Sequence, residues 1–246
     1  MFPIRDHNPS ERTPYVTWAL IAANVLVYFY EWSIGSNDTA LARFYADWAL
    51  FPAAVTQGNE YRGLVTHMFL HAGLLHLAGN MLFLWIFGDN LEDQMGHMGY
   101  LAFYLACGLV AAFAQILPDP HSTIPMVGAS GAIAGVMGGY LLLFPRARID
   151  ILLIFIIFFR VFTIPAFVML GIWFGFQVFS GLAAAAEDGG VAFWAHVGGF
   201  VAGLALTFPA WLRRGARSYW QANDGRPPHP GVDYAPSIIP SVRRRK

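Results

Sequence analysis

The sequence predicts an all-α integral membrane protein built as a bundle of six transmembrane helices. Only 12% of its 246 residues are charged and 57% are hydrophobic, with a mean hydropathy of +0.49, whereas soluble domains carry about 25% charged residues. A helix that crosses a bilayer needs roughly 20 apolar residues. Six segments meet that length, and they lie at about 14–32, 68–88, 99–117, 127–144, 161–184 and 194–212.

The Lys and Arg residues predict the orientation, because they accumulate in cytoplasmic loops. With a cytoplasmic N-terminus, 13 of the 15 Lys and Arg residues fall on the cytoplasmic side and only Arg43 and Arg62 fall outside. Both termini are therefore predicted to be cytoplasmic. The apolar stretch 151–159 is short and bracketed by charges, so it is expected to be an interfacial segment or the lead-in to the fifth span. As a seventh helix, it would place the basic tail outside.

Composition divides the chain into three parts. Residues 1–13 form a polar cytoplasmic segment, 14–212 form the six-helix domain, and 213–246 form a basic, proline-rich cytoplasmic tail that is expected to be disordered. The first loop, 33–67, is rich in aromatic residues and is expected to lie in the membrane interface. The first residues lack a signal-peptide or transit-peptide pattern, which favours a bacterial inner (cell) membrane.

The bulk composition also excludes some functions. The 15 basic and 15 acidic residues balance, so binding to nucleic acid or another polyanion is not expected. Cys107 is the only cysteine; it cannot form an internal disulfide and is expected to be a small packing residue.

Two residues suggest chemistry inside the membrane. Ser130 lies in the run Gly128-Ala129-Ser130-Gly131 at the start of the fourth span, and His196 begins the sixth. In the six-span topology both lie at similar depth near the outer surface. An ionisable group in a bilayer is costly and indicates function, although a membrane serine also bonds its own helix carbonyls. The pair is a candidate nucleophile and base.

The second span adds polar residues to the same outer layer. Its first turns carry His67, His71, His76 and Asn80. His76 and Asn80 are four residues apart and share a helix face. Asn80 donates N–H groups and cannot act as a base, so this face suits the stabilisation of developing negative charge. The alternative is that these side chains only bond neighbouring helices, and it is strongest for His67 at the loop edge.

Glycine spacing predicts that the fourth and sixth spans pack directly. Gly131 and Gly135 lie four residues apart in the fourth span, while Gly199 and Gly203 follow the histidine on roughly its own face of the sixth. Small residues let helix backbones approach closely. This packing would bring the serine hydroxyl and the imidazole within reach of each other.

The reaction that these residues allow is acyl transfer. A neutral His196 accepts the Ser130 proton, and the alkoxide attacks a carbonyl. The serine lies at a helix N-terminus, where backbone N–H groups and the dipole favour an oxyanion. No Asp or Glu lies near His196 in this layer, so the sequence predicts a dyad whose imidazole is held by apolar packing.

These motifs resemble those of the rhomboid family of intramembrane serine proteases. The resemblance covers roughly residues 60–205, in the family's order and spacing. Its pieces are Gly128-Ala129-Ser130-Gly131, the run 71–80, and Ala195-His196-Val197-Gly198-Gly199 with Gly203. It implies a six-helix core with a water-filled cavity that opens outward.

The resemblance also implies a role for each site residue. Ser130 is the nucleophile and His196 the general base; His76, Asn80 and the Ser130 amide form the oxyanion hole, with His71 and Gly128 in support. Trp173 and Phe174 resemble the family's lateral gate; the alternative is that they are bulky residues that face lipid. Glu92 followed by Gly96 resembles a structural glutamate.

The chain departs from the family pattern at two places. Tyr61-Arg62 stands where many members have Trp-Arg in the first loop. Ala134 stands where some members have an aromatic residue that stacks on the histidine, which leaves the orientation of His196 without an explanation from the resemblance.

The implied substrates are membrane proteins with a single transmembrane helix, cleaved near its outer end where the helix unwinds within the lipid bilayer. No cofactor or metal is expected. Two alternatives remain at this point. One is an inactive rhomboid-like protein that binds other membrane proteins. The other is a metal transporter or metalloenzyme that uses His67, His71, His76 and His196, although no HExxH motif occurs.

Overall fold

The computed structural model describes residues 2–155, 158–183 and 191–226. Within these ranges the chain is mostly helical, with one small antiparallel sheet. The elements are β1 (Phe2–Asp6), α1 (Tyr15–Ile34), α2 (Asp38–Trp48), α3 (Pro52–Thr56), α4 (Gly63–Thr66), a 3₁₀ turn (His67–Phe69), α5 (Leu74–Met95), α6 (His97–Ile116), α7 (Ser130–Leu143), β2 (Arg148–Phe155), β3 (Phe158–Pro165), α8 (Ala166–Ala183), α9 (Phe193–Arg213) and α10 (Arg217–Asn223).

Each predicted span contains one long helix, and these are α1 and α5 to α9. In the described part of the chain, α6, α8 and α9 are long and apolar enough to cross a membrane. Residues 63–69 and α5 form a pair bent by 93°, and they give a fourth crossing if the pair counts as one span. α7 has 14 residues and is shorter than a full span. These apolar helices are those of an integral membrane protein.

The fold is mostly helical, as predicted, but it is not all-α, because β1, β2 and β3 form an antiparallel sheet in that order. β2 and β3 occupy most of the stretch that was expected to be interfacial or to begin the fifth span, and α8 begins only at Ala166. β-branched and aromatic side chains, which favour strands, dominate this stretch, and the pairing of β2 with β1 selects the sheet. Ile149 and Ile151 alternate inward and are buried.

Asp150 in β2 holds β1 against the sheet. Arg5 Nη2 donates to Asp150 Oδ2 at 2.7 Å, Thr163 Oγ1 donates to Oδ1 at 2.6 Å, and His7 Nε2 lies 2.9 Å from Oδ1. The Thr163 hydrogen bond, followed by those of His7 and Arg5, keeps the pKa of the Asp150 carboxyl below its ordinary value. The N-terminal segment, predicted only to be polar, is therefore part of the fold.

The prediction of a disordered tail from residue 213 is wrong for its first part. α9 continues to Arg213, and α10 follows it. Trp220 Nε1 donates to the Leu142 carbonyl at 3.0 Å, and its ring centroid lies 4.8 Å from that of Trp211. These apolar and polar contacts order α10. The remainder of the predicted tail, 227–246, lies outside the described residues.

Glu92 ties α1 to α5 and α6. Its carboxylate accepts hydrogen bonds from the backbone amides of Val16 and Thr17 and from the Thr17 hydroxyl, each at 2.8 Å, and His97 Nδ1 lies 2.6 Å away. The first amides of a helix have no partner within the helix, and an acid there also complements the dipole. This geometry agrees with a structural role for Glu92.

Helices α7 and α9 meet backbone to backbone. A Cβ added at Gly199 would overlap the carbonyl oxygen of Gly131, and one added at Gly203 would overlap that of Gly135. Only glycine leaves the two backbones this close. The contact sets the first turns of the two helices side by side.

We expect Gly203→Ala to lower the free energy of unfolding by roughly 1–3 kcal/mol, as overpacking of a close contact does, because the new methyl group overlaps a carbonyl of α7. Thermal unfolding of the purified protein in detergent measures the change. Gly171→Ala is the matched control, since a Cβ there meets no atom within 4 Å. Equal losses of stability in both variants would contradict the close-contact argument.

The burial of Asp6 predicts that β1 is held less firmly as the pH rises. Desolvation is the largest cause that raises its pKa from 3.8 to about 7, and its Oδ2 accepts a hydrogen bond from the Tyr140 hydroxyl at 2.7 Å. Because the folded state has the higher pKa, protonation of Asp6 stabilises the folded state. This stabilisation is complete below about pH 4 and is lost as the pH rises through about 7.

Amide hydrogen exchange in β1, corrected for the intrinsic rate, should accordingly accelerate as the pH rises through about 7. Asp6→Asn should remove this acceleration, because the amide does not titrate. An identical pH profile in the two proteins would show that Asp6 is not the responsible group.

Candidate active site

The structure places the predicted nucleophile and base within hydrogen-bond distance. Ser130 is the first residue of α7, and its Oγ lies 2.8 Å from Nε2 of His196 in the first turn of α9. Ser130 is half-buried and His196 is 9% exposed. In this geometry the hydroxyl can pass its proton directly to Nε2.

Gly128 shapes the backbone just before the serine. Its φ of +123° lies in the region that favours glycine. A Cβ at this position would lie 2.8 Å from His76 Nε2 and 3.7 Å from Asn80 Nδ2. The absent side chain therefore makes room for both of these polar groups beside the start of α7.

The first loop, 33–67, pairs with the segment that leads into the serine. It contains α2, α3 and α4. Leu50 and Met126 exchange two backbone hydrogen bonds of 3.1 and 2.8 Å, and the Gly128 amide donates to the His67 carbonyl at 2.8 Å. Gly63 lets the loop close, because a Cβ there would lie 2.6 Å from a backbone oxygen. The backbone before the serine is thus held at two points.

His71 orients the side chain of Asn80. Asn80 Nδ2 lies 2.9 Å from His71 Nε2. An amide nitrogen only donates, so His71 accepts one hydrogen and the second remains for another partner. The backbone amide of His71 in turn donates to the buried carboxylate of Glu31, with distances of 3.2 and 3.3 Å to its two oxygens. These contacts fix the orientation of the Asn80 amide beside the cavity.

The polar residues of the site line one cavity of about 760 Å³, a volume within the range of ligand sites. Its walls come from α5, from the segment before α7, and from α8 and α9. Ser130, His196, His76 and Asn80 all contribute to the lining. The structure therefore gathers the residues of three predicted spans around a single space.

Sequence reasoning missed Gln177 in α8. Its Oε1 lies 2.7 Å from His196 Nδ1. A signal was present, because Gln177 is the only amide side chain in α8 and a polar group inside an apolar helix usually has a partner on another helix. Apolar packing is therefore not the only contact that holds the imidazole.

The two gate candidates have different surroundings. The Trp173 ring lies 5.7 Å from the His196 ring, centroid to centroid, and also lines the cavity. The Phe174 ring is stacked on that of Phe200 in α9, at 4.7 Å and 25°. Both side chains are half-buried, so they are not simply bulky residues that face lipid. Ala134 of α7 has no ring to contact His196, and Trp173 of α8 makes this aromatic contact instead.

Three of the four histidines considered for metal binding have hydrogen-bond partners of their own. His67 Nδ1 donates to the Gly63 carbonyl at 2.8 Å, His71 accepts from Asn80, and His196 uses both ring nitrogens for other contacts. Within the residues that the structure describes, no group of three His, Cys, Asp or Glu side chains could hold a metal ion. The metal hypothesis gains no support from this geometry.

Comparison with known proteins agrees with the site. The Rhomboid domain family matches residues 58–213. Rhomboid protease GluP of Bacillus subtilis is 32% identical over 198 residues, which are 80% of this chain and 36% of that protein. RHOMBOID-like protein 6, mitochondrial, of Arabidopsis thaliana is 39% identical over 44% of this chain and 34% of its own length. The human presenilin-associated rhomboid-like protein, mitochondrial, is 30% identical over 60% of this chain and 36% of its own length.

The chain belongs to the rhomboid family, because the family matches well over half of it. The matched regions amount to between 34% and 36% of the length of these three relatives. The family assignment therefore concerns the helical domain that contains the site.

We expect Gly128→Ala to slow the reaction of Ser130 with a fluorophosphonate probe by about tenfold or more, since backbone strain of this kind costs about 1–3 kcal/mol and the methyl group would displace His76. The labelling rate measures the effect. Gly73→Ala is the control, because a Cβ there meets nothing within 4 Å. A wild-type rate in Gly128→Ala would refute this role of Gly128.

Proposed function

We propose that this protein is an intramembrane serine endopeptidase that hydrolyses peptide bonds in or near transmembrane segments through a Ser130–His196 dyad. The 2.8 Å contact between Ser130 Oγ and His196 Nε2, at a helix N-terminus inside a cavity, carries the proposal. Membership of the rhomboid family supports it, and so does the similarity to rhomboid protease GluP of Bacillus subtilis.

The reaction proceeds by acyl transfer. His196 Nε2 takes the Ser130 proton as Oγ attacks the scissile carbonyl, and the protonated imidazole then gives that proton to the departing amine. Water repeats the sequence on the acyl-enzyme, with His196 again the base. The Ser130 amide, the second Nδ2 hydrogen of Asn80 and the His76 ring stabilise the oxyanion, since donors that are already fixed in position need no reorganisation.

In this proposal all six long helices lie across the membrane, with both termini in the cytoplasm. The asymmetry of Lys and Arg supports the orientation. The short helix α7 is buried along ten consecutive residues, 131–140, so neighbouring helices and not lipid surround it, and its length need not match the bilayer. A bacterial cell membrane is the proposed location, supported by the long match to the Bacillus subtilis protein.

The proposed substrates are proteins with one transmembrane helix. A peptide bond inside an intact helix is shielded by the helix itself, so the segment must unwind before its carbonyl reaches Ser130. The cavity beside α8 supports entry from the bilayer, with Trp173 on the cavity wall and Phe174 behind it as the proposed lateral gate.

Cleavage of a labelled single-span substrate in detergent or liposomes tests the proposal. Ser130→Ala and His196→Ala should each lower the rate by about 10³-fold or more, because nucleophile and base act as a unit. His121→Ala, an exposed histidine outside the cavity lining, should cleave at the wild-type rate.

Three outcomes would reject the proposal. Cleavage that survives both dyad variants would exclude the dyad. Loss of cleavage on chelation, with Ser130→Ala unaffected, would favour the metal hypothesis. A wild-type protein that binds the substrate but neither cleaves it nor reacts with a fluorophosphonate would be an inactive member of the family.

A further inference from the structure

We infer that Gln177 is a positioning residue for His196, which selects the imidazole tautomer that can accept the Ser130 proton. The inference rests on the proposed function, because the tautomer matters for cleavage only if His196 is the base. Gln177 lies on α8, outside all the motifs that predicted the site.

The hydrogen-bond pattern around the imidazole defines its tautomer. Gln177 Oε1 can only accept a hydrogen bond, so the hydrogen of the neutral ring resides on Nδ1, 2.7 Å away. Nε2 then carries a lone pair directed at Ser130 Oγ, at 2.8 Å. The opposite tautomer would direct an N–H at the hydroxyl and could not take its proton.

The contact made by the amide nitrogen of Gln177 indicates how its amide group is oriented. Its Nε2 lies 3.5 Å from the backbone carbonyl oxygen of Trp173, one turn earlier in α8. Exchanging the amide oxygen and nitrogen would set two acceptor oxygens against each other there. It would also turn a donor toward His196 Nδ1. The backbone of α8 therefore favours the orientation in which Oε1 faces the imidazole.

Trp173 holds the same ring from the side. Its centroid lies 5.7 Å from that of His196, with an angle of 39° between the planes. Because Trp173 and Gln177 are four residues apart, they share one face of α8. This face supplies both an aromatic contact and a hydrogen bond, and together these restrict rotation of the imidazole.

A neutral hydrogen-bond acceptor is suited to the position of Gln177 beside His196. Among the described residues, His196 makes no hydrogen bond or ion pair with an Asp or Glu. A carboxylate next to a 9%-exposed imidazole would lose its hydration, which is expensive in a low-dielectric site. An amide oxygen selects the tautomer without that cost.

The test compares Gln177→Met, which is similar in size but lacks the acceptor, with Gln177→Glu, which keeps it. Gln177→Met should lower kcat about tenfold, the factor that one neutral hydrogen bond supplies, with KM unchanged. In Gln177→Glu a carboxylate oxygen still accepts from Nδ1, so kcat should return to within a few-fold of wild type, while desolvation of the carboxylate lowers the unfolding midpoint. Phe176→Met, on the exposed side of α8, is the control, and thermal unfolding midpoints show whether each variant is folded.

Nitrogen-15 NMR of labelled His196 provides a readout that does not need cleavage. The wild-type ring should show a protonated Nδ1 and an unprotonated Nε2, and Gln177→Met should shift the ring toward the opposite tautomer or a mixture. A wild-type kcat and an unchanged tautomer in Gln177→Met would overturn the inference. So would a loss of activity that follows a lowered unfolding midpoint and is not restored by Gln177→Glu.

A different result would reject the proposed function, namely a wild-type protein that neither cleaves substrate nor reacts with a fluorophosphonate. The NMR comparison would then still decide whether Gln177 selects the tautomer.

Discussion

The site depends first on how closely the backbones of α7 and α9 approach each other. A Cβ at Gly199 or Gly203 of α9 would overlap the carbonyl oxygen of Gly131 or Gly135 of α7. Ser130 and His196 stand in the first turns of these same helices, so their separation follows directly from this contact. A side chain at Gly199 or Gly203 would push the helices apart and so lengthen the hydrogen bond between Ser130 and His196.

The second constraint is that polar groups buried among apolar helices need partners, because little water is available to replace them. His67 bonds to the Gly63 carbonyl, His71 to Asn80, and His196 to Ser130 and Gln177. The two bonds of His196 join α9 to α7 and α8, and each bond removes a degree of freedom from the side chain involved. The same contacts that make burial tolerable therefore also preorganise the site.

The sheet of β1, β2 and β3 shows where a local reading of the sequence fails. An apolar run such as 151–165 is compatible with a helix or with two strands, and neither its length nor its composition decides between them. The decision comes from β1, which pairs with β2 and brings Arg5 and His7 to Asp150 from the far end of the chain. A contact between residues more than 140 positions apart leaves no trace in the periodicity of either segment. The order of α10 has a similar origin, in contacts with α7 and α9.

The sequence alone determined the membrane character, the approximate positions of six long helices, and the group of residues that the structure gathers around Ser130. Composition, apolar length and glycine spacing are local properties, and they can be read along the chain. Only the tertiary structure decided that Gln177 faces His196, that the first loop pairs with the segment before the serine, and that β1 pairs with β2 in a sheet. These facts depend on the rotation of each helix about its axis and on pairing between distant segments. Both are decided by packing among all the elements together.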